Sequence, residues 1–194
     1  MYEYFKGKLI TKAPTHVIID VGGVGYYLHI SLTTYSQIKD QEECKLFASF
    51  QVREDAQTLY GFATEGERHL FHHLISVSGI GPNTGRMMLS SITPEEIQQA
   101  IVNGQVQVIQ KIKGIGPKTA QRVILELQDK LKKQGPNALI PLEVTKSSAL
   151  DEALAALTML GFNKQQAEKA LQAVSATDTD PSVEDLIKLA LKRL

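Results

Sequence analysis

The rhythm of hydrophobic positions changes once along the chain. Up to Phe62, apolar residues come in short β-branched or aromatic runs that partly alternate with polar ones: Tyr2–Ile10, His16–Val21, Tyr26–Ser31, Cys44–Val52 and Gln57–Phe62. Ala-Pro, Gly-Gly and Arg-Glu-Asp breaks separate them, so the pattern predicts five strands. Thr33–Lys39 leaves room for one or two helical turns between the third and fourth, and that insertion suits a small OB-type barrel. From Glu65 onward a three- and four-residue spacing takes over. It predicts helices over Glu65–Ser76, Pro82–Ser91, Pro94–Asn103, Gln105–Ile112 and Pro117–Lys132. Thr93, Pro94 and Glu96 spell a capping box with proline at the first helical position. Gly135, Pro136 and Pro141 then mark a linker, and Ala149–Leu194 reads as three short helices broken at Gly161 and at Thr177–Pro181. The expected fold is therefore mixed all-β plus all-α: a five-stranded barrel over 1–62, a helical unit over 63–134, a linker over 135–148 and a three-helix bundle over 149–194.

Within the helical region a hexapeptide repeats. Ser78-Gly79-Ile80-Gly81-Pro82-Asn83 returns 35 residues later as Lys113-Gly114-Ile115-Gly116-Pro117-Lys118, each copy between two predicted helices. Glycine permits the positive φ of a tight turn, and proline starts the next helix where no N–H is needed. Such a turn presents backbone amides beside a helix N-terminus, where a phosphate can be held by those amides and the helix dipole. Lys111, Lys113, Lys118, Thr119 and Arg122 can supplement the second copy. The first has Asn83 in place of Lys118 and Arg86 as its nearest cation. One such turn could equally be a plain helix-helix connection; two in tandem favour phosphate binding. Neither copy is a nucleotide site. A dinucleotide fingerprint needs glycine at Thr84 and Thr119, and a P-loop needs glycine where Pro117 stands.

Charge first argues against nucleic acid and then does not. Lys plus Arg and Asp plus Glu are both 21 in 194 residues, so a polycation that binds DNA by bulk charge is excluded. Divided by unit, the net charge is −1 over 1–62, +3 over 63–134 and −2 over 135–194, a basic centre between acidic flanks. The single cysteine, Cys44, excludes a disulfide framework and reads as a core strand residue. No signal-peptide core or membrane-length apolar run is present, so a cytoplasmic protein without a membrane span is expected. His69, His72 and His73 share helical spacing but lack a Cys or acidic partner motif, so no metal is expected.

The tandem Gly-Ile-Gly-Pro turns, the run Val52–Phe62 (VREDAQTLYGF) and the run Val21–Tyr26 (VGGVGY) together resemble the RuvA family of bacterial Holliday-junction branch-migration proteins over essentially the whole chain. The resemblance implies a homotetramer, or an octamer on DNA, that holds a four-way junction open and square-planar. It implies a non-catalytic subunit without a cofactor, acting in recombination, DNA repair and the SOS response. Its hexameric ATPase partner would be RuvB, with the resolvase RuvC a further partner. The helix-hairpin-helix residues it marks for DNA are Gly79, Ile80, Gly81, Asn83, Arg86, Lys111, Lys113, Gly114, Ile115, Gly116, Lys118, Thr119 and Arg122. Glu54 and Asp55, by themselves a polar hairpin tip, become an acidic pin that repels phosphates at the junction centre. Leu157, Leu160, Phe162 and Leu189 become the contacts of a UBA-like bundle with RuvB. Two other classes compete. A helix-hairpin-helix nuclease or glycosylase would need a second lobe and a catalytic group, for which no motif is present. A pure protein adaptor would rest on the Leu160-Gly161-Phe162 turn alone.

Overall fold

The computed structural model describes residues 2–38, 42–134, 149–175 and 182–193. The chain divides into two compact units, Met1–Pro141 and Leu142–Leu194. In the first, β1 (Tyr4–Ala13), β2 (His16–Val21), β3 (Val24–Ile30), β4 (Glu43–Val52) and β5 (Gln57–Phe62) form a closed barrel in the order β1-β2-β3-β5-β4. β4 closes it by pairing antiparallel with β1, Phe5 opposite Leu46. β3 and β5 run parallel, with His29 beside Tyr60. A parallel pair needs a long crossover rather than a tight turn, and helix α1 (Leu32–Gln37) with β4 supplies it. Alternation sends Val17, Ile19, Leu28, Ile30, Leu46 and Ala48 into the barrel, all nearly or fully buried.

Strand limits differ from the sequence expectation most at β1 and β3, for identifiable reasons. β1 begins at Tyr4 and continues to Ala13, because an irregularity between Leu9 and Thr11 shifts its register against β2 and carries pairing past the polar Thr11-Lys12. β3 begins at Val24 because Gly22 and Gly23, at φ 63° and 89°, make a tight turn. Asp20 Oδ1 fastens that turn by accepting from the Gly23 N–H at 2.9 Å.

The helical region contains α2 (Glu65–Ile75), α3 (Pro82–Ser91), α4 (Pro94–Val102), α5 (Val106–Gln110) and α6 (Pro117–Gln134). The capping box at Thr93 and Glu96 is present, and α6 runs two residues beyond Lys132. Leu70, Phe71, Leu74, Met88, Leu89, Ile97, Ile101, Val123 and Leu127 form its core, which also takes Tyr60 and Phe62 from β5. The barrel and the helices thus share apolar burial across the point where the sequence pattern changes. Glu67, 2% exposed, ties them further. The hydroxyls of Ser31 and Thr34 donate to its two carboxylate oxygens at 2.5 and 2.6 Å, and accept in turn from the N–H groups of Thr34 and Ala63.

The second unit packs α7 (Ala149–Met159), α8 (Lys164–Ser175) and α9 (Val183–Leu191) around Ala153, Leu157, Ala167, Leu171, Val174, Leu186 and Ala190. Four alanines in this core, Ala170 being the fourth, let short helices approach closely, which suits a unit too small to fill a wide one. Gly161, at φ 95°, turns the chain between α7 and α8. The expected break at Thr177–Pro181 and the expected linker over 135–148 lie outside the described residues. Among the described residues no helix is long and apolar enough to cross a membrane.

Candidate nucleic-acid interface

The two Gly-Ile-Gly-Pro copies fold alike. Gly79 and Gly114 take φ of 95° and 88°, values an L side chain rarely adopts. The next residue turns inward: Ile80 N–H donates to Val77 O at 3.0 Å and Ile115 N–H to Ile112 O at 3.1 Å, with the isoleucines 4% and 6% exposed. These side chains therefore anchor the turns in the helical core, and what they can offer a ligand is backbone. Gly81 and Gly116 then cap helices that begin with Pro82 and Pro117. Helices α1, α2, α4 and α9 each carry a serine or threonine whose side chain accepts from a first-turn amide. A glycine cap offers no such acceptor, so α3 and α6 keep their first-turn amides open to a ligand.

The copies also lie side by side. A Cβ on Gly79 would sit 3.9 Å from Thr119 Oγ1, and Arg122 Nη1 donates to Ser78 O at 3.2 Å. Arg122 Nε is 3.8 Å from Glu126. Lys111, Lys113, Lys118 and Arg122 are all exposed around the second turn. Around the first turn the expectation needs one correction. Arg86 is half-buried and directed at the barrel, where its Nη1 donates to Ile30 O at 3.1 Å and its Nε is buried. Packing against β3 holds it there, so it is not an open cation of the first turn. Asn83 Oδ1 accepts from the Tyr60 hydroxyl at 3.2 Å, and burial raises the pKa of that phenol.

Glu54 and Asp55 sit exposed at the tip of the β4–β5 hairpin, closed by an Arg53 N–H to Ala56 O bond of 2.8 Å. This hairpin and the first turn line one groove of about 330 Å³ whose walls include Gln51, Arg53, Asp55, Thr58, Gly81 and Asn83. Sequence reasoning singled out only Asp55, Gly81 and Asn83 among these. Gln51 and Thr58 were accessible in principle as polar positions of alternating strands, and Arg53 as the first residue of the hairpin break between them. What connects them to the turn is tertiary packing, which no local pattern reports. His69, His72 and His73 line one groove with Glu3 and Arg68, but among the described residues no group of three or more His, Cys, Asp or Glu is placed to hold a metal; burial and the nearby Arg68 lower the pKa of His72.

In the C-terminal unit the four expected partner contacts diverge. Leu157 is fully buried in the bundle core, so its side chain faces α8 and α9 and not a partner. Phe162 is half-buried against that core. Leu160 and Leu189 are exposed at 62% and 37%, and Met159, not anticipated from the sequence, is exposed at 90%.

Comparison with known proteins accounts for all three regions of the chain. Residues 1–61 match the family described as RuvA N terminal domain, 71–129 the SAM-like helix-hairpin-helix tandem, and 148–194 the RuvA C-terminal domain. The Holliday junction branch migration complex subunit RuvA of Christiangramia forsetii is 48% identical over 195 residues, covering 100% of both chains. The subunits of the same name from Flavobacterium psychrophilum and Bacteroides fragilis are 47% and 46% identical, again over 100% of both chains. A closed five-stranded barrel, paired hairpins with open helix starts and a small terminal bundle, matched end to end at this identity, place the chain in the RuvA family.

Proposed function

We propose that this chain is the junction-binding subunit of a Holliday-junction branch-migration complex, itself without catalysis, and that ATP hydrolysis belongs to its RuvB partner. The observation that carries the reading is the adjacency of two phosphate-type turns and an acidic hairpin on one unit. Amides of α3 and α6 hold phosphates of a duplex arm, a contact indifferent to base sequence because phosphates carry none. Lys111, Lys113, Lys118 and Arg122 add charge to the second turn. Glu54 and Asp55 stand where strands must separate, and they penalise a duplex that continues straight across.

The arrangement acts fully only when repeated. One subunit holds one arm, whereas four around an axis give each arm its own pair of turns and bring the acidic hairpins together at the centre. Leu160, Phe162, Leu189 and Met159 offer the apolar docking surface for RuvB, with RuvC a further partner on the same junction, in the cytoplasm. The deciding experiment is the mass of the protein alone and with a synthetic four-way junction, together with competition by duplex. A tetramer that prefers the junction is expected. A monomer that binds junction and duplex alike contradicts the reading.

A further inference from the structure

The two hairpins share a backbone but not their charges. Through the 35-residue repeat, Lys118 and Arg122 of the second copy correspond to Asn83 and Met87 of the first. Neither replacement can hold a phosphate by charge. Arg86, the neighbouring cation, is committed to Ile30 O, and Asn83 Oδ1 is committed to Tyr60. The first turn therefore has open amides with no exposed cation on its own helix to supplement them.

A cation arrives from the barrel instead. One terminal nitrogen of the Arg53 guanidinium lies 3.4 Å from the position a Cβ would take on Gly81, at the cap of α3. Arg53 is exposed, and among the described residues its guanidinium makes no hydrogen bond or ion pair, although Glu54 and Asp55 follow it directly. Its charge, after that of Arg86, also bears on the Tyr60 phenol, which donates to Asn83. Arg53, Gly81 and Asn83 line the same groove. A guanidinium there presents several N–H donors in a planar fork suited to phosphate oxygens.

We propose that Arg53 is the phosphate-binding cation of the first hairpin, delivered from the β4–β5 hairpin of the barrel to stand in for the lysine that this copy lacks. The inference rests on the junction-binding reading above. It also gives the barrel hairpin two opposite tasks in successive residues: Arg53 attracts the backbone at the first turn, and Glu54 and Asp55 repel what lies beyond it.

The test is junction binding by the full-length protein at several salt concentrations, for wild type, Arg53→Ala, Arg53→Lys, Arg53→Ala with Asn83→Lys, and Lys118→Ala. Arg53→Ala should weaken binding by about tenfold, as expected when a charge-assisted hydrogen bond is removed, and should flatten the salt dependence by roughly 0.9 in slope for each phosphate no longer engaged. Arg53→Lys should retain most of the affinity, and Asn83→Lys should recover both affinity and slope in the Arg53→Ala background, since it restores the cation of the second copy. Unchanged affinity and slope in Arg53→Ala overturns the proposal. So does a loss that Asn83→Lys fails to recover, and a lowered thermal midpoint would then identify Arg53 as a support of the fold. If Lys118→Ala weakens binding while Arg53→Ala does not, only the Arg53 assignment fails. A wild-type protein that does not bind the junction overturns both readings together.

Discussion

Single residues divide into those that hold the scaffold and those that meet the ligand. Glu67 is of the first kind. Burial raises its pKa by disfavouring the charged form, and the Ser31 and Thr34 hydroxyls offset this only partially. A carboxyl whose pKa is higher folded than unfolded contributes stability that is complete below the unfolded value and is lost as pH rises through the folded value. Thermal midpoints of wild type and Glu67→Gln, followed upward from the usual carboxylate range, should therefore show wild type losing ground to the variant. A constant difference would mean that Glu67 titrates normally. Glu67→Ala should cost about 2–4 kcal/mol in a denaturant titration at neutral pH, because two buried hydroxyls lose their acceptor. Lys118 is of the second kind, an exposed side chain beside open amides. Lys118→Ala should weaken junctions of every sequence about equally at unchanged stability; a loss confined to some sequences would point to base contacts.

At the scale of elements, the β4–β5 hairpin is the one whose role depends most on its surroundings. Replacing Glu54 by Gln and Asp55 by Asn removes two exposed negative charges without disturbing the Arg53–Ala56 closure. Junction-over-duplex discrimination, measured by competition, should fall by about tenfold or more, as like-charge opposition is worth several kcal/mol. Equal discrimination would return the pair to a solvated hairpin tip. The elements themselves were legible in the sequence to the extent that their signals are local. Strand alternation, the Thr93–Glu96 capping box and the Gly-Ile-Gly-Pro turns are each complete within a few residues, and each is found where expected. Less legible was anything decided by a distant neighbour. Arg86 has the exposure pattern of a surface cation until the β3 carbonyl at Ile30 is brought beside it. Leu157 and Leu160 are indistinguishable by spacing, yet one is core and the other is surface. The register irregularity in β1 hid three strand residues because it breaks the very alternation used to find strands.

Across the whole molecule the zero net charge acquires a distribution. The basic centre and acidic flanks allow DNA to be held locally while the protein as a whole repels little and attracts little. Affinity should still decline with salt, log K falling against log salt with a slope of roughly 0.9 per phosphate engaged. A flat response, measured by titration between about 50 and 200 mM salt, would contradict phosphate clamping. The division into two compact units makes a further expectation separable: a chain ending at Gln134 should bind junctions as the full chain does, yet fail to support RuvB-driven branch migration. Loss of junction binding in that truncation would place some of the DNA surface in the C-terminal unit. The glycine-capped starts of α3 and α6 also bear on inheritance. A backbone N–H is supplied by every residue except proline, so no codon change short of proline deletes the donor itself. In a saturation screen for junction binding, intolerance at these turns should fall on Gly79 and Gly114, where the backbone excludes a side chain, on the buried anchors Ile80 and Ile115, on the caps Gly81 and Gly116 and on the supplementing cations, while the remaining exposed positions should vary freely. Between those fixed points the clamp could drift in sequence while keeping its grip.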